Sequence, residues 1–463
     1  MPPSLPNPAN LPNTPTVPPP VAPGLRLRIL LLLFAANSLS GFAQGITLIG
    51  IPWYWVAQSG PDGKFLLAQT LFVTSALTLV WSLYAGTLVD RYDRRHIFLV
   101  LNAVGVLLLG TAAAVAWRAE SAGQVVPYLM LAAVMTGTFL SYNVHYPNLY
   151  AFVQQLFPPG KYARVNSAIE IQGQLTNFLG MTTGAFLTAG FATDAEGLAW
   201  LPQLQLEPWP LWQIFSLNAG TYALALLLVW GIRTVGLPRA ADAPLPVWQR
   251  FRFGYQYLRQ RPIIFRVGAA SSLLFVTVLV TFQAILPTYI HDVLQAPGGL
   301  LGLSEGTFAL GALGAGVAVA LAGGRIARLH KVTLLALTTL IGGLLQLWLT
   351  LTPTAMTLLA AAAGIGLMNS FSRIYRITYL FEVVGNEVMG RVSSFFVVFV
   401  TLVRQGFLGL LLLPFFSADA NGPNILYLTG AQAVLLLLAA WVLFGSLGAV
   451  SRFAQVNGMQ DRG

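Results

Sequence analysis

Between Leu27 and Leu447 the chain repeats one pattern about twelve times: an apolar run of roughly 20 residues or more, then a short polar or Pro/Gly-bearing break. A helix rising 1.5 Å per residue needs about 20 residues to cross a hydrocarbon core of roughly 30 Å. Within lipid, only helices and closed barrels satisfy every backbone N–H and C=O without water. The runs fall at 27–57, 65–89, 96–117, 126–156, 164–191, 211–233, 263–290, 303–323, 331–352, 355–382, 392–416 and 425–448. A chain that is 56% apolar and 9% charged, with mean hydropathy +0.70, lies outside the range of water-soluble domains. The expected class is an all-α integral membrane protein with twelve transmembrane helices, partnered by the lipid bilayer.

A net charge of +10 raises the possibility of nucleic acid, but the basic residues sit where topology wants them. Arg26 and Arg28 precede the first run. Arg91, Arg94, Arg95, Lys161, Arg164, the stretch from Arg233 to Arg266, Arg325, Arg328, Lys331, Arg391, Arg452 and Arg462 follow even-numbered runs. The alternate loops hold only Lys64 and Arg118, beside Asp62, Glu120, Asp194, Glu196, Glu207, Asp292, Glu305 and Asp419. The positive-inside rule then puts both termini in the cytoplasm, which requires an even number of spans, and no nucleic-acid partner is expected. Residues 1–24 carry a proline at nearly every second or third position and read as a disordered cytoplasmic tail rather than a cleaved signal peptide. Residues 451–463 read as a second cytoplasmic tail. The chain has no cysteine, so disulfides, thiol nucleophiles and cysteine metal sites are outside its chemistry.

The longest inward connection, 234–262, divides the runs six and six, into halves at 25–233 and 263–450. The halves repeat each other. "ARVNSAIEIQGQLTNFLG" aligns without gaps with "GRVSSFFVVFVTLVRQGF" when Arg164 is set on Arg391, which places Tyr146 on Arg373 and Asn177 on Arg404. "AGTLVDRYDRR" corresponds to "AGGRIARLHK", and "LIGIPWYWV" to "QAILPTYIH" through Pro52 and Pro287. Parallel six-helix halves related by an axis along the membrane normal place a substrate site near the midplane between them.

"GTLVDRYDRR", Gly86 to Arg95, resembles the signature of the major facilitator superfamily after its second helix. Gly86, Leu88, Asp90, Arg91, Arg94 and Arg95 fit it, and Asp93 stands where a glycine is usual. With "GRVSS" and "YLRQRP", the resemblance extends over all twelve runs. The "DRYDRR" form and the "IPWYW" that closes the first run are most similar to bacterial drug and macrolide efflux proteins and siderophore exporters. The resemblance implies the major facilitator fold, a bacterial inner (plasma) membrane location, a monomer, no cofactor and a small-molecule substrate. It also implies drug-resistance efflux by an antiporter driven by the proton gradient. Helices 1, 4, 7 and 10 would then line the cavity and helices 2, 5, 8 and 11 would join the halves. Asp90, with Gly86, Arg91, Arg94 and Arg95, would latch onto the start of helix 11 at Arg391, where a carboxylate meets the positive end of a helix dipole. The second copy carries Ala327 in place of the aspartate, so the latch is asymmetric.

Ionisable residues deep in a span are functional candidates by default. Arg404 lies about 20 Å along helix 11 from Arg391, near the midplane, and Arg373 about 16 Å from the inner end of helix 10. Both are expected at the substrate cavity with Tyr146, Asn143, Gln283 and Gln44. Arg376 lies shallower and is open to two readings, a gate pair with Glu170 across the halves or a side chain snorkelling to headgroups. Glu170, the one carboxylate read as lying within a span, and His145 are the candidate proton-coupling groups. Trp53, Tyr54 and Trp55 suit an interfacial belt. Gly180, Gly184, Gly311, Gly314 and Gly316 suit small faces that let the halves approach and slide.

No HExxH, Walker A loop or serine–lysine dyad occurs, so an enzyme is not expected and no metal site is foreseen. Filter repeats and rings of like charge are also missing, which disfavours a channel. The expected function is export of small amphipathic organic compounds by alternating access. A lysophospholipid or other lipid translocator of the same fold is the alternative, since arginines suit phosphate headgroups.

Overall fold

The computed structural model describes residues 23–58, 60–157, 162–192, 205–232, 247–326, 330–384, 386–417 and 424–456. Side chains at some helical positions, among them Gly86, Asp90, Arg164, Glu170 and Gly390, lie outside that description. The N-terminal half comprises α1 (Pro23–Gln58), α2 (Gly60–Arg91), α3 (Arg94–Ser121), α4 (Tyr128–Leu156), α5 (Tyr162–Ala189) and α6 (Leu211–Trp230). A two-residue pair of antiparallel strands, β1 (Phe191–Ala192) and β2 (Gln205–Leu206), lies between α5 and α6. After α7 (Val247–Arg259), the C-terminal half opens with a seventh span over Pro262–Val293. That span consists of α8 (Pro262–Val280), a π-helical turn (Thr281–Ile285), α9 (Leu286–Thr288) and a second π-helical turn (Tyr289–Val293). The half continues with α10 (Gly299–Ile326), α11 (Lys331–Leu351), α12 (Ala355–Val383), α13 (Asn386–Leu411), the short α14 (Pro414–Ser417) and α15 (Ile425–Val456).

Every one of the twelve runs is a helix. Among the described residues, 10 helices are long and apolar enough to cross a membrane. The other two of the twelve, α4 and α5, are 29 and 28 residues long. These are the helices with Asn143, His145, Asn148, Gln172 and Gln174. The segment 234–262, expected as a plain connection, contains α7, which lies against α13: Arg391 stacks over the Phe253 ring at 4.3 Å.

The internal repeat is visible in the packing. In the first half α1 packs on α5 and α6, α3 on α4 and α6, and α2 on α4. The second half repeats each pair: α8 on α13 and α15, α11 on α12 and α15, and α10 on α12. The two major contacts between halves, α5 with α10 and α2 with α13, are also exchanged by the same pseudo-twofold operation.

The end of the bundle where α1 begins and α15 finishes is called proximal here, and the opposite end distal. Toward the distal end, one buried apolar cluster runs through both halves, from Ile46, Trp55, Leu71 and Ala185 to Ile285, Leu301, Leu408 and Ile425. Toward the proximal end the core divides among the described residues. Leu33, Phe152 and Val229 belong to N-terminal clusters, and Ile264, Leu335 and Val392 to a separate C-terminal one.

Two expectations change with the packing. Trp53, Tyr54 and Trp55 are 7%, 6% and 1% exposed and help to build the shared distal core rather than a lipid-facing belt. The glycines also act differently. Gly180 and Gly184 abut α1 within the first half, and Gly311 abuts the backbone of Ala363 on α12 within the second. Close approach between halves falls instead to Gly298, against Ala189 and Trp53, and to Gly302, where a Cβ would meet Phe186 at 2.7 Å.

Candidate functional site

At the proximal end, Asp93 in the motif has a structural task. Its side chain accepts a hydrogen bond of 2.9 Å from the His96 N–H and caps α3, one of the orphan donors every helix start leaves. Arg95 donates to the carbonyls of Val229 and Trp230 at 3.3 and 2.8 Å, closing the C-terminus of α6. Asn148 of α4 donates to the Arg94 carbonyl at 2.8 Å, and Arg91 is exposed. Gly86 and the side chain of Asp90, which the latch requires, lie outside the described residues.

In the middle of the bundle the structure brings Arg404, Gln283 and α4 together. Arg404 lies about 10 Å from the distal end of α13, somewhat past the middle of its span. Its guanidinium donates to Gln283 Oε1 at 2.7 Å and lies 5.6 Å from the Phe139 ring centroid on α4. Gln283 projects from the first π-helical turn of the seventh span, ahead of Pro287. Such turns reorient a side chain and frequently mark functional positions. On α4, Phe139, Tyr142, Asn143 and Tyr146 follow the i, i+3, i+4, i+7 spacing of one helical face. The Tyr142 and Tyr146 rings lie 4.6 Å apart, and Asn143 donates to the Phe139 carbonyl at 2.8 Å.

On α12 the i, i+4, i+7 positions are Asn369, Arg373 and Arg376. Arg373 is half-buried. Arg376 donates to the Ser271 carbonyl of α8 at 3.3 Å, and Ser372 reaches the same carbonyl at 3.4 Å. Arg376 thus ties two helices of its own half together, an arrangement neither expected reading included. The side chain of Glu170, its candidate gate partner, lies outside the described residues.

Two other candidates are enclosed within the first half. His145 is 6% exposed, with Nε2 at 2.6 Å from Asn37 Oδ1 and Phe98 edge-on at 5.0 Å. Asn37 in turn donates to Gln172 Oε1 at 3.0 Å, and Gln172 donates to Ser38 Oγ at 2.6 Å. Gln44 is 3% exposed and hydrogen-bonds Tyr222 of α6. These groups hold α1, α4, α5 and α6 together.

The distal end adds residues that sequence reasoning assigned to loops. Lys64 in the first turns of α2 forms an ion pair with Asp292 at the end of the seventh span, joining the halves. His291 Nδ1 lies 2.6 Å from Asp292 Oδ1, and Trp53 of the other half meets the His291 ring edge-on at 6.2 Å. Gln405 donates across the halves to the Phe72 carbonyl at 3.1 Å. Glu305, also expected in a loop, is inside α10 and 5% exposed, with Oε1 lacking a hydrogen-bond partner among the described residues. Its helix begins at Gly299, four residues before the expected start, which carries the carboxyl group inward. The available signal was the apolar "GGLLGL" just before it.

Several solved structures share this fold. A bacterial homologue of the iron transporter ferroportin, in an inward-facing state, superposes with a TM-score of 0.65 at 16% identity, covering 91% of this chain and 98% of that one. A bacterial homologue of the human lysosomal transporter Spinster, inward-facing and unoccupied, gives 0.62 at 15% identity, covering 92% and 98%. The nucleoside transporter NupG gives 0.60 at 11% identity, covering 91% and 98%. No curated protein sequence matches the chain significantly. The family described as Major Facilitator Superfamily matches residues 4–404. Paired six-helix halves, a polar constellation between them and that match lead to one conclusion: this multi-pass membrane chain belongs to the major facilitator superfamily and is a transporter of small molecules, not an enzyme.

Proposed function

We propose that the chain exports small amphipathic organic compounds across a bacterial inner membrane by alternating access, coupled to proton entry. The proximal end is the cytoplasmic one on this reading. The observation that carries it is the asymmetry of the core among the described residues: the halves share one apolar cluster and an ion pair distally, while the proximal clusters described are separate. That is the arrangement of a carrier holding its outer side shut while loading from the cytoplasm. Residues between the halves combine aromatic rings with fixed cations, which suits amphipathic cargo. For the proton, Glu305 joins Glu170 as a candidate, because a buried carboxyl group inside a span, its Oε1 without a partner among the described residues, is a proton-exchange candidate by default.

The test is flux in sealed vesicles carrying the purified chain. Cargo movement that collapses with the pH gradient supports antiport. Gradient-independent movement of lysophospholipid would replace this reading with lipid translocation.

A further inference from the structure

We infer that Arg404 is the recognition point for an anionic group on the transported molecule, so the cargo is an amphipathic organic anion. The inference rests on the proposal that the space between the halves is the substrate site. The charge balance carries it. The ion pairs among the described residues are Lys64–Asp292, His291–Asp292 and Lys331–Glu382, and none involves Arg404. Among the described residues its one hydrogen bond is to a neutral amide, Gln283 Oε1, and its buried Nε has no partner. A part-buried guanidinium with no counter-anion among the described residues is costly, and the cost falls when an anion arrives.

The surroundings specify what kind of anion. Gln283 holds one edge of the planar fork at 2.7 Å, and the unpartnered Nε belongs to the fork that engages carboxylate or phosphate. Across the gap, α4 presents Phe139 at 5.6 Å from the same guanidinium, with the Tyr142–Tyr146 pair farther along its face. On α12, Asn369 Oδ1 is buried without a hydrogen-bond partner among the described residues, one turn from Arg373. The second half thus supplies cations and amide groups, and the first supplies rings. A ligand with an anionic head and an apolar or aromatic body satisfies both. Carboxylate-bearing small molecules and anionic lysophospholipids share that chemistry.

The experiment measures binding to the purified full chain through its tryptophan fluorescence, with 2-naphthylacetate, its neutral amide and 2-naphthylethylamine as probes of one apolar body. Lysophosphatidylglycerol and lysophosphatidylcholine form the lipid arm. The expected result is tighter binding of the anion than of the amide by about 10-fold or more, the range of a charge-assisted bond. Arg404→Gln should erase that preference, and Arg404→Lys should restore part of it. Phe139→Ala should weaken all three naphthyl probes alike. Preference for lysophosphatidylglycerol over naphthylacetate would assign the anion to a lipid. Equal binding of anion, amide and amine by the unaltered protein would overturn the inference whether or not any variant folds. So would failure of both anions to bind. Gradient-driven flux of neutral or cationic compounds that ignores Arg404→Gln would overturn it while leaving export standing. Anion binding without gradient-driven flux would do the reverse.

Discussion

Asp292→Asn offers the most direct test of how the distal end is held shut. The Lys64 and Asp292 side chains are only 10% and 8% exposed, so their ion pair is largely shielded from water and salt. Hydrogen bonds to charged groups contribute about 1.5–3 kcal/mol net. Breaking a buried pair by removing one partner costs more, about 3–5 kcal/mol, when the remaining charge stays enclosed. Here the pair joins α2 to the seventh span, so it exists only while the distal ends are together, and parting them lets water reach Lys64. The whole loss therefore falls on the distally closed state, and the lower range shifts its population by roughly 10- to 100-fold. His291 also contacts Asp292, but both belong to one half and move together, so that contact does not bias the equilibrium. The chain has no cysteine, which allows site-specific spin labels at Gln124→Cys and Met356→Cys, exposed positions near the distal ends of opposite halves. Asp292→Asn should lengthen the label-to-label distance, and the exchanged pair Lys64→Asp with Asp292→Lys should bring it back. An unchanged distance distribution in Asp292→Asn, or no recovery in the exchanged pair, would refute the reasoning.

The remaining outcomes each follow from a single position. Arg376→Gln removes the bond to the Ser271 carbonyl and should lower thermal stability in detergent by about 1–2 kcal/mol with substrate selectivity unchanged, whereas Arg373→Ala should change which compounds are moved. Gly311→Leu places carbon against the Ala363 carbonyl and should abolish folded protein on size-exclusion chromatography. Gly316→Ala enters open space and should be neutral or stabilise by up to about 1 kcal/mol. Glu305→Gln should flatten the pH dependence of flux in vesicles while movement down a cargo gradient continues, and an unaltered pH profile would remove Glu305 from proton coupling.

What the chain's order of residues determined is whatever obeys a local rule. Twelve helical runs follow from the length of a hydrocarbon crossing and the need to satisfy backbone groups within each segment. The duplication was legible because Arg164 and Arg391 lie in matching registers, and the packing of the two halves repeats pair by pair. Arg404 and Gln283 were recognisable as candidates because a polar group deep in a span needs a reason. Their meeting was not recognisable: they are 121 residues apart, and the contact depends on a π-helical turn that re-aims Gln283. Lys64, Asp292 and Glu305 were read as loop charges because their burial depends on where α2, the seventh span and α10 begin and end.

The faces of the helices were hidden for a more general reason. In a water-soluble bundle, polarity marks the outside of each helix. In a bilayer both lipid and protein interior are apolar, so nothing in the pattern says that Gly311 meets Ala363 while Leu310 is 63% exposed. Only tertiary packing assigns those faces, because it is decided by which small residues let backbones approach and which buried polar groups find partners.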